Sequence, residues 1–264
     1  MLKLNSASSL AIAAALFAAN AASARSITIP FSAANFPGSP VIDNRYFPLQ
    51  PGKVFTYKGE SPDGCEVVVT TVTSDTKTIA GVNTRVVHDS AYEGPTCTTN
   101  PSALVEDTLD YYAQDNSGNV WYFGEDTFHC PIFTCDRGAG SWIAGEDPAN
   151  ALPGIIMLNQ PRNGDTYFQE RAAPVALDQA TVKGTGVTVV LKRDDAFPPG
   201  TFTNCIVTKE FSTLENGSNE QKSYCPEIGN VAVDEHHGKV FRSELTGVSA
   251  TALRFRTVRT VPKH

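Results

Sequence analysis

Asp107–Glu125 reads DTLDYYAQDNSGNVWYFGE: two aromatic-rich runs on either side of the turn residues Asp115, Asn116, Ser117, Gly118 and Asn119. This pattern predicts a β-hairpin. If Asn116–Gly118 form a three-residue loop with Gly118 in the left-handed bulge position, Asp115 faces Asn119 and the register upstream follows. The expected pairs are then Ala113 with Trp121, Tyr112 with Tyr122, Tyr111 with Phe123 and Asp110 with Gly124. One face collects Leu109, Tyr111, Ala113, Trp121 and Phe123, an apolar set that has to be buried. The other collects Asp110, Tyr112, Gln114 and Tyr122, aromatic residues with polar handles that suit a second packing layer or the wall of a site.

The flanks of this hairpin place the chain outside the cytosol. Residues 1–24 carry an early Lys3, an apolar run over Leu10–Ala19 and the small-residue signal Ala22-Ser23-Ala24, which reads as a secretory signal peptide with maturation near Arg25. The apolar run is too short for a comfortable span, and no later segment approaches the roughly 20 apolar residues that a membrane helix needs. Six cysteines in an exported chain predict three disulfides. Cys65 and Cys97 lie symmetrically about a turn at Ala80-Gly81, because their numbers sum to 162, twice 81. Cys205 and Cys225 flank a similar strand pair around Asn216-Gly217, with a mismatch of about three residues for a bulge or longer loop to absorb. Cys130 and Cys135 are left to close a short loop.

A net charge of −7 and a pI near 5.2 argue against nucleic acid or an anionic membrane as a partner. With 19% charged residues, 17 Pro and 20 Gly, the composition suits a turn-rich β protein.

An irregular arm, residues 25–45, leads in. A first β unit is expected over 46–125, beginning with the turn and strand of Tyr46-Phe47-Pro48-Leu49-Gln50-Pro51-Gly52 and Val54–Tyr57. A second unit over 161–264 opens with the similar Pro161–Glu170 and ends in an alternating strand at Leu253–Thr257. Gly118-Asn119-Val120 recurs as Gly229-Asn230-Val231, an offset of 111, while Gly52 and Gly164 differ by 112, so a duplicated unit is expected. Aromatic weight is unequal. Trp121, Tyr122 and Phe123 of the first unit correspond to Ala232, Val233 and Asp234 of the second, which favours a site in the first. Between the units, residues 126–160 show no periodicity but hold Cys130, Cys135, Trp142 and Ile155–Leu158. They are expected to form an ordered, disulfide-closed flap over the sheet.

YFPLQPGKVFTYKGE, YYAQDNSGNVWYFGE, the PGIIM segment, NGDTYFQE and the Gly-Thr-Phe-Thr-Asn-Cys strand together resemble a broad group of exported bacterial β proteins of uncharacterised function. Units in that group run from an "FPL-x-PG" strand to a "YYAPGVG"-like hairpin. The resemblance covers most of residues 46–236 and implies a curved antiparallel sheet or half-barrel. It transfers no catalytic residue, and Ser223–Gly229 departs from the pattern through Cys225.

Familiar catalytic motifs are missing: no G-x-S-x-G, H-E-x-x-H, P-loop or dinucleotide fingerprint occurs. His236-His237 with Asp234 and Glu235 supply metal-ligand types, but neighbours on a strand point to opposite faces, so no metal or other cofactor is expected. Asp107, Asp110, Glu125 and Asp126 cluster at the open end of the central hairpin and could divide acid and base work. The reading taken is an all-β protein: a duplicated antiparallel meander forming a curved sheet, half-barrel or barrel-like sandwich. Its expected role is non-catalytic binding or scaffolding, with an aromatic-lined concavity for a small or polymeric ligand. The alternative is a carboxylate-dependent hydrolase or lyase acting on polysaccharide. The expected pocket lies between the flap and the first unit, lined by Asp110, Tyr112, Tyr122, Glu125 and Trp142, with Trp121 anchoring it from the opposite face. Gly124 leaves the necessary space.

Overall fold

The computed structural model describes residues 25–250 except 62–63, 131–134, 139, 198–199, 215–218 and 237–238. The expected signal peptide and the strand at Leu253–Thr257 lie outside the described residues. Among the described residues sixteen strands follow in chain order: β1 Arg25–Ser26, β2 Lys53–Ser61, β3 Gly64–Ile79, β4 Val82–Gly94, β5 Leu104–Gln114, β6 Val120–His129, β7 Asp136–Arg137, β8 Trp142–Ile143, β9 Leu152–Met157, β10 Asp165–Phe168, β11 Glu170–Arg171, β12 Asp178–Val190, β13 Thr201–Ser212, β14 Asn219–Cys225, β15 Gly229–His236 and β16 Val240–Ala250. Two short 3-10 turns, Ala33–Asn35 and Pro101–Ala103, complete the regular structure, and no α-helix occurs among the described residues.

All strands belong to one large sheet, ordered β1-β10-β12-β13-β14-β15-β16-β2-β3-β4-β5-β6-β9-β11, with β7 and β8 also paired to β6. Every pairing is antiparallel except β1 on β10, so the sheet is mixed. β2–β6 are sequential neighbours, as are β12–β16, and the β16–β2 ladder joins the two runs. The sheet is not closed by hydrogen bonds, yet its two ends approach each other. Thr166–Phe168 of β10 pair with β12, and the chain continues at once into Glu170-Arg171 of β11, which pair with β9.

The central hairpin forms around Asp115. Its Oδ1 accepts from the Ser117 and Asn119 amides at 2.8 and 3.0 Å, and its Oδ2 accepts from Asn119 Nδ2 at 3.0 Å and Trp121 Nε1 at 2.8 Å. Gly118 has φ 85°, and Ala113–Trp121 and Tyr112–Tyr122 pair as expected. Further from the turn the expected register fails. Asp110 pairs with Glu125 rather than Gly124, because a bulge absorbs one residue of β6. Gly124 takes φ 130°, and a Cβ there would stand 2.2 Å from the Trp142 carbonyl oxygen, so the space it provides is filled by β8 backbone.

The segment expected as a flap is, where described, an edge extension: β7, β8 and β9 all lie antiparallel along β6. The N-terminal arm is equally well tied. Gln114 Oε1 accepts from the amides of Asp43 and Asn44, and the Asn116 amide donates to the Asn35 carbonyl. Phe31 and Phe36 pack on Trp121 and Phe123 with ring centroids 5.5–6.0 Å apart, covering the apolar face of the hairpin. On the other face Leu49, Phe55, Val72, Val87, Val120, Met157, Ile206, Val231 and Leu245 form a second core. Burial of each such side chain contributes about 1.5–3 kcal/mol. All three expected disulfides are present, with Cα–Cα distances of 5.3 Å for Cys65–Cys97, 4.0 Å for Cys130–Cys135 and 4.2 Å for Cys205–Cys225.

Candidate functional site

The sheet curves so that β2–β5 on one side and β14–β16 on the other look into a common cavity of about 630 Å³. That size lies within the range of small-molecule sites. Its floor is the inner core, reached through Leu49, Phe55 and Val87. Aromatic residues form the lower walls. Phe47, on the loop before β2, sits between Tyr112 (5.4 Å) and Tyr224 (6.1 Å), while Tyr57 donates from its hydroxyl to the Asn230 carbonyl at 3.1 Å.

The upper walls are acidic because alternate strand residues face inward. Glu66 and Asp89 project from β3 and β4 together with Glu93, Glu106 comes from β5, and Glu220 and Glu235 come from β14 and β15. Two like-charged pairs are in direct register, Glu66 opposite Glu93 and Glu220 opposite Glu235. Such pairs weaken a sheet. Burial, reinforced by Glu235, Glu93, Glu220 and Glu106, pushes the Glu66 carboxyl up to about 7. Burial also raises Asp89, to about 6, against a lowering hydrogen bond from Thr70. Lys222, the single lysine of the lining among the described residues, contacts Glu210 at 3.0 Å and Glu220 at 3.1 Å. Burial opposes its charge, but Glu210 and Glu220 hold its pKa well above the ordinary lysine value. Conversely, Lys222 and the Thr208 hydroxyl keep buried Glu210 ionised, with a lowered pKa. His129 Nδ1 stands 3.6 Å from Glu106 at the rim.

The five residues expected to line a pocket do come together. Tyr112 and Tyr122 stack at 4.9 Å, Trp142 meets the Tyr122 ring edge-on at 5.5 Å, and the Tyr122 hydroxyl donates to Asp110 Oδ1 at 2.5 Å. Glu125, opposite Asp110, accepts from Thr127 Oγ1 at 3.0 Å, and Trp142 Nε1 donates to Glu170 at 3.3 Å. Of these five, Tyr112 lines the cavity; Asp110, Tyr122 and Trp142 are buried beside it and Glu125 is half-buried. Burial drives the Asp110 pKa well above its usual range, Glu125 to about 7 and Glu170 to about 8. Asp107 and Asp126 are engaged elsewhere, with His88 at 2.6 Å and Lys77 at 3.4 Å respectively. Among the described residues no group of three or more His, Cys, Asp or Glu is placed to hold a metal ion.

The cavity also draws in Phe47, Tyr57, Glu66, Asp89, Glu93, Glu220, Lys222 and Tyr224, for which no site role was expected, and Glu235, which the sequence offered only as a metal-ligand type beside His236. A signal was present in the alternation of Val87-x-Asp89-x-Ala91-x-Glu93 and of Glu220-x-Lys222-x-Tyr224, which puts acids on one face of strands that also carry apolar residues.

No family model matches the chain, and no curated protein matches it. Among solved structures, a protein from Parabacteroides distasonis described as a lipoprotein aligns with a TM-score of 0.35 and 14% identity over 78% of this chain and 99% of its own. A protein from Bacteroides fragilis, described as exported and of YmcC-like fold, aligns with a TM-score of 0.32 and 15% identity over the same shares.

Proposed function

We propose that this is an exported, non-catalytic binding protein that holds a small ligand in the cavity between its two strand runs. The observation that carries the reading is the cavity itself, its lower walls aromatic and its upper walls lined by carboxylates whose mutual repulsion the fold tolerates. Charged groups held together against their own stability suit a site better than a scaffold. Export is supported by the signal-peptide pattern and by three disulfides that involve all six cysteines. Ala91 lines the cavity between Asp89 and Glu93, so Ala91→Trp should fill it. A compound that raises the melting temperature of the wild-type protein should lose that effect in Ala91→Trp and keep it in Glu146→Gln, an exposed position. An undiminished effect in Ala91→Trp would place the site elsewhere.

A second reading rests on Asp110 opposite Glu125, two inward carboxyls with raised pKa values that are suited to acid–base work on polysaccharide. It requires turnover that Asp110→Asn or Glu125→Gln abolishes in a folded protein.

A further inference from the structure

The two ends of the sheet meet at one step of the chain, where β10 gives way to β11. The ladder across that seam is two residues long, Glu170 with Pro153 and Arg171 with Leu152, and Pro153 brings no N–H to it. Beside it the backbones touch, since a Cβ at Gly154 would collide with the Gln169 carbonyl. The N-terminal arm straps the seam from outside. The Arg25 and Ile27 amides donate to the Gly164 and Thr166 carbonyls at one end, and the Asn35 carbonyl accepts from the Asn116 amide at the other. Beneath the crossing a hollow of about 120 Å³ remains, lined by Ile27, Ile29, Trp121, Gly154 and Phe168. Tyr167, just before the step, is 2% exposed, and its hydroxyl has no hydrogen-bond partner among the described residues. A buried hydroxyl in that condition is a standing penalty that water would relieve.

Inside the seam, like charges are set against one another. Glu170 of β11 accepts from Trp142 Nε1 of β8 at 3.3 Å, Trp142 is paired with Glu125 of β6, and Glu125 pairs in turn with Asp110 of β5. Asp178 of β12 also acts on Glu170, while β9 brings no charged residue. Lys222 of β14 is the cation that reaches Glu170, but Glu210 holds it at 3.0 Å and Glu220 at 3.1 Å. Arg171, next to Glu170 on β11, points to the other face and lines the hollow under the arm. Desolvation first, then Asp178 and Glu125, raise Glu170 from the ordinary 4.5 to about 8, and desolvation raises Glu125 to about 7. Water entering an open seam would restore ordinary values, so the closed seam holds protons that the open one releases. Closure is therefore favoured fully at and below pH 4.5 and is lost as pH rises through about 8. We infer that the β9–β11 seam is a pH-sensitive gate, shut while Glu170 and Glu125 carry their protons and opened by their ionisation, with the arm keeping the two ends of the sheet tethered. The device is independent of what the cavity binds.

Acrylamide quenching of the mature protein reads the gate, because Trp121 and Trp142, the only two tryptophans of the chain, flank the seam and are 2% and 0% exposed. Quenching should be weak at pH 5 and rise by about threefold or more by pH 9, with circular dichroism showing the fold retained. Glu125→Gln combined with Glu170→Gln, which keeps an oxygen for the Trp142 indole, should flatten that rise, and Glu146→Gln should leave it unchanged. A disulfide between Leu152→Cys and Arg171→Cys, which face each other in the ladder, should hold quenching at its pH 5 level throughout. The cross-link also separates a gate from a direct effect of the Glu170 charge on indole emission, which it would not remove. Quenching that does not change with pH, or a rise that persists in the folded carboxamide variant or in the cross-linked protein, would overturn the gate. If the carboxamide variant does not fold, the cross-linked protein decides alone.

Discussion

At the scale of single residues, two carboxylates show how much depends on surroundings. Asp115 is buried and accepts four hydrogen bonds within its own hairpin, so its charge is fully served. Asp115→Ala would leave the Trp121 indole N–H and the Ser117 and Asn119 amides without their acceptor, and should lower stability by about 3 kcal/mol or more in urea unfolding. Glu66 is in the opposite condition, its pKa raised from the ordinary 4.5 to about 7 by burial and four other carboxylates. Between those two values the folded protein holds a proton that the unfolded chain has released. Stability contributed by Glu66 is therefore present at and below pH 4.5 and is lost as pH rises through about 7. Glu66→Gln should flatten that decline and raise stability at pH 8 by about 1–3 kcal/mol, read as melting temperature against pH. A wild-type profile that rises from pH 5 to 8 with a parallel mutant profile would contradict it.

At the scale of elements, the hairpin shows what a turn can specify and where its authority ends. Asp115–Asn119 sets the pairs as far as Tyr112–Tyr122, because a hairpin's register propagates from its loop. Beyond them β8 crosses the edge of β6, and the Trp142 carbonyl occupies the position a side chain at 124 would need. Gly124→Ala should cost about 2 kcal/mol or more by denaturant unfolding, since it combines a positive φ with a backbone clash. The β3–β4 hairpin makes a related point. Its Ala80-Gly81 turn was legible, but the ladder shifts between Val72 and Thr76, so Cys65 stands opposite Gly94 and the disulfide reaches beyond the strand to Cys97. Replacing both cysteines by serine should lower stability by roughly 2–4 kcal/mol, given the 32-residue separation.

At the scale of the whole molecule, the β16–β2 ladder makes one sheet of the two strand runs, and the cavity exists only because both face into it. The duplication expected from the sequence stays a proposal. It draws support from the Gly52 amide bonding the Val72 carbonyl at 2.7 Å while the Gly164 amide bonds the Val182 carbonyl at 2.9 Å. Aligning the two runs should place Gly52 on Gly164 and Gly118 on Gly229; a better superposition in another register would reject common origin.

The sequence by itself determined the β class, the three disulfide pairs and the two faces of the central hairpin, because period-two alternation, turn chemistry and short cysteine separations act between residues near one another in the chain. It also brought Asp110, Tyr112, Tyr122, Glu125 and Trp142 into one neighbourhood, since β5, β6 and β8 lie within forty residues. Only the tertiary structure decided that this cluster is largely buried and that the open space lies beside it. Glu66 and Glu235 come within electrostatic reach although they are 169 positions apart, 235 minus 66. No local pattern encodes that approach; it follows from the curvature of the sheet and from the pairing of its last described strand with β2.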